Sequence, residues 1–298
     1  MRIFSPLPGE YIASALKRVN ELLGIKSIAK EEFYIKPIPR IGFGISKCLM
    51  PVKTESRDYA KFKFPEFLTK HNITENVLNN NTLHPLNAAL GRSRAYTEVT
   101  PKIWMRMCHD CVLEDIETHG SPYIHCRHVL SSVMFCSIHG SALIESCPQC
   151  SVPIRKHDIT KLGICSKRYK YSKRSKAQLN STPRLYAKFI ADLLGYRGAT
   201  VKRTLADAVI HQSVTLKYAK RYADNNSSLG LDNIIARELG ISITLGNNGR
   251  LLDKNLSLCA FLGCITADHY FDLLTNEDTR TLLRKNLHEA GVSQWHPY

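Results

Sequence analysis

Cys108-His109-Asp110-Cys111 is the first of three short motifs that decide how the middle of this 298-residue chain folds. The other two are Cys136-Ser137-Ile138-His139 and Cys147-Pro148-Gln149-Cys150, and seven of the ten cysteines fall within residues 108–165. Two thiolates with two residues between them on a tight turn can both reach one ion at about 2.3 Å. Two such knuckles, brought together by the fold, complete a tetrahedral site with no open position. The pattern therefore predicts structural zinc, not catalytic zinc.

The spacing favours one ion held by the first two knuckles, because the 24 residues between them leave room for a small hairpin. The ligands of this first site would be Cys108, Cys111, Cys136 and His139. Three side chains between the knuckles could substitute as ligands: His125, Cys126 and His128. The favoured interpretation is that they are ordinary packed or exposed side chains that bind no metal.

A second zinc site would be one ligand short. Its candidate ligands are Cys147, Cys150 and Cys165, whereas Arg168, three residues further on, is itself a cation and cannot bind one. The second site must therefore recruit His157, use another donor, or not exist.

Disulfides and scattered core cysteines explain the pattern less well. Core cysteines would not form three pairs separated by 24 and then 7 residues. A secreted disulfide framework is disfavoured because the chain is long, begins Met1-Arg2-Ile3-Phe4 without an apolar signal segment, and leaves Cys48, Cys259 and Cys264 isolated. No run of 18 apolar residues exists that could span a membrane, so a reducing cytoplasm is the expected compartment, with association to the nucleoid when the protein is engaged.

The formal charge of +15 predicts an anionic partner, and nucleic acid is the obvious one. Residues 159–191 contain nine basic residues, no acidic residue and three interleaved tyrosines, a composition suited to phosphate neutralisation and base stacking. The alternative is a solvated linker. The candidate nucleic-acid-binding residues are Lys167, Arg168, Lys170, Lys173, Arg174 and Lys176.

The rest of the chain is expected to be mainly α-helical, with a zinc-ribbon module in its middle and a helical C-terminal domain. An apolar stripe over 9–23 predicts a helix that ends at Gly24, with Lys17 and Arg18 facing outward. Thr182-Pro183 predicts the start of a helix that stops at Gly195, and Asn276–Ala290 reads as a capped helix. These patterns predict four regions: 1–100, 101–168, a basic linker 169–181, and 182–298.

Residues 232–242 have the small residue and turn glycine of a helix-turn-helix at Ala236 and Gly240. The following residues 246–249 are poor helix formers, so structural packing is favoured over base reading for this element. Enzymatic activity is not expected, because no phosphate-binding Gly-rich loop, His-Glu-x-x-His helix or Gly-x-Ser-x-Gly elbow is present. A nuclease built on His119, His125 and His128 is the weaker alternative.

The knuckles, together with two outlying segments, resemble the TniQ/TnsD family of transposon targeting proteins over about residues 5–165. The matching segments are Cys108-x-x-Cys111, Gly120-Ser121-Pro122-Tyr123, Cys136-x-x-His139-Gly140, Leu143, Cys147-Pro148-x-Cys150, Pro6-Leu7-Pro8-Gly9-Glu10 and Asn81-Thr82-Leu83-His84-Pro85-Leu86. The family usually has a Trp where this chain has His128, and its second finger often ends in Cys-x-x-Cys where this chain has Cys165 and Arg168.

The resemblance implies a helix-turn-helix in the N-terminal region, so that helix-turn-helix units would flank the zinc-ribbon module. It also implies a target-selection adaptor that hands a target to an AAA+ ATPase, TnsC, which recruits the transposase. One branch of the family docks on a CRISPR effector that holds guide RNA, often as a homodimer, and the other binds attachment-site DNA directly. The short stretch after the fingers favours the RNA-guided branch, and the basic charge favours the DNA-binding branch. The RNA-guided adaptor is the preferred expectation; a zinc-ribbon and helix-turn-helix transcription factor is a further alternative.

Overall fold

The computed structural model of the chain describes residues 6–22, 24, 74–92, 105–130, 132–165, 176–224 and 256–290. These residues are mainly helical, as expected, and within them the only β-pairing is five isolated bridges. The α-helices are α1 (Ile12–Leu22), α2 (Glu75–Asn80), α3 (His84–Ala89), α4 (His109–His119), α5 (Thr182–Leu194), α6 (Arg203–Asp224), α7 (Leu256–Cys264), α8 (Ala267–Thr275) and α9 (Glu277–Glu289). Three 3-10 turns are η1 (Cys126–His128), η2 (Ile154–Lys156) and η3 (Ile159–Lys161).

The helix-turn-helix units stay a prediction. The segment 232–242 lies outside the described residues, and so do residues 25–73, which follow the first helix. The proposed region boundaries also stay a prediction. Within the described residues, one continuous cluster of buried side chains joins the N-terminal, central and C-terminal parts of the chain, through residues such as Ile12, Ile124 and Phe189.

Helix α1 forms as predicted but orients one charged side chain differently. Its apolar stripe buries Ile12 and Ala15, and Gly24 has a φ of +68°. Arg18, expected on the outward face, is buried and ion-paired with Glu10 at 2.9 Å. The Glu10 carboxylate also accepts hydrogen bonds from the backbone N–H of Leu7 and the Ser14 hydroxyl, so the buried pair has the additional partners that buried charges need.

The C-terminal core consists of α5, α6, α7 and α8. Helix α7 is apolar around its whole circumference, and its side chains are buried because α5, α6 and α8 pack against it. Gly263 lets α7 approach α6 closely: a Cβ at this position would lie 2.6 Å from Ser213 Cβ. Two aromatic pairs, Tyr186 with Phe261 and Phe189 with Phe261, have ring centroids 5.3 and 5.6 Å apart.

The helix ends follow the sequence signals, with one correction. Asn276 caps α9, because its side chain accepts hydrogen bonds from the N–H groups of Asp278 and Thr279. Helix α5 begins at Thr182, but its N-cap is Ser181 and not Thr182, and Pro183 occupies the first turn as predicted.

Hydroxyl groups tie the central region to the C-terminal helices. The Tyr186 hydroxyl on α5 lies 2.9 Å from the Ser132 hydroxyl and 3.0 Å from the Ser257 hydroxyl on α7. All three side chains are buried. The loop before the second knuckle is therefore fixed to two C-terminal helices.

Candidate metal centres

The structure brings together the four side chains predicted for the first site. One donor atom from each of Cys108, Cys111, Cys136 and His139 lies within 4.8 Å of the others. The Cys111 and Cys136 sulfurs are 3.6 Å apart, and His139 Nδ1 lies 3.3–3.7 Å from the three sulfurs. Zn–S and Zn–N bonds of about 2.3 and 2.0 Å require donor separations of about 3.5–3.8 Å in a tetrahedron. The four residues therefore fit a zinc ion.

Helix α4 positions the first two of these ligands. Cys108 is the N-cap of α4 and Cys111 lies in its first turn, so both thiols stand at the positive end of the helix dipole, which favours thiolates. Helix α4 ends at Gly120, where φ is +69°. Just before the helix, Met107 exchanges two backbone hydrogen bonds with Ile144, at 3.1 and 3.0 Å, which ties the two halves of the site together.

A tight turn positions the other two ligands. The Gly140 N–H donates to the Cys136 carbonyl at 2.9 Å, and the Cys136 N–H donates to the Ser141 carbonyl at 2.9 Å. Gly140 has a φ of +66°, and a Cβ there would lie 2.7 Å from the Arg184 guanidinium. Arg184 in turn donates to the Ile138 carbonyl at 3.1 Å. Glycine is thus favoured at this turn, because it adopts the left-handed backbone without strain and leaves room for the arginine that packs on the turn.

The three thiols of the first cluster differ in the direction of their pKa shifts. Hydrogen bonds from Cys108 and Cys111 hold the pKa of Cys136 far below its usual range. A hydrogen bond with Cys111 lowers the pKa of Cys108, but the hydrogen bond with Cys136 and burial outweigh it and raise that pKa to about 11. Hydrogen bonds with Cys108 and Cys136, together with burial, raise the pKa of Cys111 well above its usual range. Metal binding would therefore displace protons from Cys108 and Cys111.

Charged and polar side chains surround the first cluster. Glu114 Oε1 lies 2.8 Å from His139 Nε2, and Arg127 donates from Nη2 to Cys111 Sγ at 3.4 Å. The Ser141 hydroxyl donates to Asp110, which connects the second knuckle to the first turn of α4.

The second cluster gains its fourth ligand from His157. Donor atoms of Cys147, Cys150, His157 and Cys165 lie within 4.8 Å of one another. Cys165 Sγ is 3.2 Å from both Cys147 Sγ and His157 Nε2, while His157 Nδ1 donates to the Asp158 carbonyl at 2.7 Å. Of the alternatives that the sequence left open, the structure favours His157. This set of three thiols and an imidazole also suits zinc.

The second cluster repeats the turn of the first. The Ser151 N–H donates to the Cys147 carbonyl at 2.8 Å, and the Cys147 N–H donates to the Val152 carbonyl at 2.9 Å, in the same order as at Cys136. Ser151 occupies the position of Gly140 and has a φ of +59°. Cys-x-x-(His/Cys) followed by a small residue occurs twice in the sequence, and this signal could have identified the repeat.

Two thiols of the second cluster differ in acidity. Burial raises the pKa of Cys147, but hydrogen bonds from the backbone of Cys150 and Gly163 outweigh it, and the pKa falls to about 7. Burial and the hydrogen bond with Cys147 raise the pKa of Cys165 to about 12.

The alternative ligands between the knuckles belong to neither cluster. His125 Nε2 lies 2.9 Å from Asp115, and the Cys126 thiol faces the Asn80 carbonyl at 3.9 Å. His128 is buried, and burial lowers its pKa to about 4, although the nearby Cys136 opposes that shift. Within the described residues, His119, His125 and His128 do not form a group that could hold a metal ion.

Most of the predicted nucleic-acid-binding residues cannot be placed. Lys167, Arg168, Lys170, Lys173 and Arg174 lie outside the described residues, and Lys176 is exposed. Lys176 forms an isolated bridge with Ser141, and the Ala177 N–H donates to the Gly140 carbonyl at 2.9 Å. The described residues on either side of the basic run 166–175 are therefore Cys165, in the second cluster, and Lys176, beside the first.

A cleft of about 700 Å³ lies next to the first cluster. It is lined by the N-terminal segment 6–9, by residues 79–82 at the end of α2, by α4, and by Arg127 and Arg197. Arg127 thus contacts both the cleft and Cys111.

No protein-family model matches the chain, and no curated protein matches it. Among the helices of the described residues, none combines the length and the apolar character needed to cross a bilayer.

Proposed function

We propose that this chain is a non-enzymatic adaptor for transposon target selection, with zinc at the first cluster and a second zinc at Cys147, Cys150, His157 and Cys165. It would link a CRISPR effector carrying guide RNA to the AAA+ ATPase TnsC. Ligand sets of three thiolates and one imidazole leave no open coordination position, so the proposed metal role is structural.

The observation that carries this proposal is the contact among segments that are distant in sequence and that each resemble the TniQ/TnsD family. The Asn81 amide donates to the carbonyls of Leu7 and Glu10, both at 2.8 Å. The Cys126 N–H donates to the Gly9 carbonyl at 2.9 Å, so the N-terminal segment also lies against the zinc-finger region. Similar segments that pack on one another support a common fold more strongly than the same segments taken singly.

The packing of the central region also suits an adaptor. Glu21 on α1 accepts hydrogen bonds from the N–H and hydroxyl of Thr160 in η3, at 3.0 and 3.1 Å. On the other side, α5 packs against η1 and α3. A protein that binds two partners at once needs a rigid connection between its parts, and two metal centres between helical segments would supply it.

The test is to purify the tagged protein from cells that express its native neighbours, then to sequence the nucleic acid and identify the proteins that accompany it. A uniform guide RNA with effector subunits and TnsC would support the RNA-guided adaptor. One fixed chromosomal DNA site without RNA would instead support the direct attachment-site-binding alternative, which the charge of +15 favours. Recovery of neither nucleic acid nor TnsC would contradict the proposal.

The basic run supplies a second test. Replacing Lys170, Lys173 and Arg174 with Gln should weaken nucleic-acid binding and reduce the slope of log affinity against log salt by up to about 2–3, because each lost phosphate contact removes about 0.7–0.9. The control replaces three cations outside the run, Lys202, Arg203 and Lys285, which are exposed. An unchanged slope in the first variant would mean that the run is only a linker.

A further inference from the structure

We infer that Glu114 and Arg127 are positioning residues that set how tightly the first cluster holds its metal ion. This inference rests on the proposed zinc binding. It concerns the surroundings of the ligands and is independent of which partner the protein recognises.

Glu114 fixes the His139 ring. His139 directs Nδ1 toward the three sulfurs and Nε2 toward Glu114 Oε1, at 2.8 Å. A carboxylate acceptor at Nε2 keeps the proton there, so that the Nδ1 lone pair is free for a metal ion and more basic. Glu114 stands three residues after Cys111 on α4, on the same helix face, so one helix supplies both ligands and the acceptor.

Arg127 balances the charge of the cluster. Zn²⁺ with three thiolates and a neutral imidazole carries a net charge of −1, and the sulfur atoms are almost fully buried. The Arg127 guanidinium donates to Cys111 Sγ at 3.4 Å and supplies the opposite charge. Metal binding requires Cys111 to be a thiolate, and a guanidinium donates a stronger hydrogen bond to a thiolate than to a neutral thiol, so the arginine favours the metal-loaded state.

The second cluster provides the internal comparison. Its histidine donates to a backbone carbonyl, that of Asp158, and not to a carboxylate. Within the described part of the chain, the hydrogen bonds of its sulfur atoms involve no charged side chain. The two clusters therefore share a ligand set and differ in the charges around it.

The experiment follows zinc release from the full-length protein to a chromophoric chelator. Cys165→Ala should remove the zinc of the second cluster. Any zinc that this variant releases then comes from the first cluster. In this background we expect Glu114→Ala and Arg127→Gln each to lower zinc affinity by about 10- to 100-fold. Glu117→Gln, an exposed carboxylate one turn further along α4, and Arg155→Gln, an exposed arginine beside the second cluster, are the matched controls.

Conservative variants separate positioning from folding. Glu114→Gln retains a hydrogen-bond acceptor and Arg127→Lys retains the charge, so both should lose less affinity than the first variants. The absorption spectrum of the Co²⁺-loaded protein gives an independent reading, because Glu114→Ala should alter the ligand field at His139 and Glu117→Gln should not. Far-ultraviolet circular dichroism identifies any variant that does not fold, and Glu114, which is 61% exposed, can be replaced without disturbing the core.

Affinities of Glu114→Ala and Arg127→Gln within twofold of their controls would overturn the inference while leaving zinc binding intact. Absence of zinc from the unsubstituted protein would overturn both the inference and the proposed zinc binding. Absence of guide RNA, target DNA and TnsC from the purified complex would count against the proposed function alone.

Discussion

The first and second clusters use the same ligand types and the same turn, but they occupy different environments. Cys108, Cys111 and Cys136 are nearly inaccessible, whereas Cys150 and Cys165 are partly exposed. The first cluster joins two sequence segments across a helix and a turn, and charged side chains contact it directly. The two clusters thus have donor sets that suit the same metal and differ in the burial and the charged contacts around those donors.

The largest expected difference is in folding. Cys108→Ser or His139→Ala should abolish zinc binding at the first cluster, unfold the central region and prevent targeting, because structural zinc contributes on the order of 10 kcal/mol to folding in small modules. Few domains have more than about 15 kcal/mol of stability to lose. The measurements are zinc content per chain and limited proteolysis.

Cys165→Ser is the matched variant for that test. It should remove one zinc and leave the first cluster and the core protected from protease. Retained fold and zinc content in Cys108→Ser would contradict the assignment of the first cluster. If Cys165→Ser loses as much zinc and protease protection as Cys108→Ser, the fold does not depend more on the first cluster than on the second.

A second difference concerns acid. Burial lowers the pKa of His128, beside the first cluster, to about 4 from the usual 6.5. The stability that neutral His128 contributes is fully present above pH 6.5 and is lost as the pH falls toward 4, by about 3 kcal/mol at about 1.4 kcal/mol per pH unit. Between pH 7 and acid pH, His128→Phe should therefore lose less free energy of unfolding than the unsubstituted protein does.

Denaturant unfolding at pH 7 and pH 4.5 gives the free energy of unfolding that each protein loses between the two pH values. Comparing this loss between His128→Phe and the unsubstituted protein cancels the acid sensitivity of the metal ligands, which both proteins share. His269→Gln, on the exposed side of α8, is the control. If His128→Phe and the unsubstituted protein lose the same free energy of unfolding between these pH values, the histidine is not the acid-sensitive group.

The smallest expected difference lies in the two turns. Gly140→Ala should cost about 1–3 kcal/mol, because φ is +66° and the new Cβ would meet the Arg184 guanidinium. Ser151→Gly should raise the free energy of unfolding by at most about 1 kcal/mol, since relief of the left-handed backbone is offset by the greater entropy of glycine in the unfolded chain. Thermal unfolding of the zinc-loaded variants compares them, and a stabilised Gly140→Ala would disprove the equivalence of the turns.

Local patterns in the sequence predict the knuckles and most helix ends. The residues that bring Cys108 near Cys111 and Cys136 near His139 are adjacent in sequence, so spacing alone groups them. Asn276 begins α9 for the same reason, because its side chain caps N–H groups two and three residues on. His157 could only be offered as an alternative, since its place in the second cluster depends on how η2 and η3 turn the chain back.

Buried charges could not be predicted from periodicity. Arg18 was expected to face solvent, but Glu10 lies ahead of α1 and pairs with it inside the core. Arg106 donates to the backbone carbonyls of His128, Leu130 and Val133, which lie in a loop more than 20 residues away. Such contacts join distant segments, and a pattern of apolar positions carries no information about them.

The hydroxyl contacts of Ser132, Tyr186 and Ser257 have a consequence for protein synthesis. Ser257 is added 92 residues after Cys165 (165 to 257), which takes about 5–18 s at ribosomal rates of about 5–20 residues per second. During that interval the nascent chain already contains all eight cysteine and histidine ligands, but it lacks the helix that closes the loop behind the first cluster. If the two clusters bind zinc, all of their ligands are therefore synthesised before the last helices can pack against them.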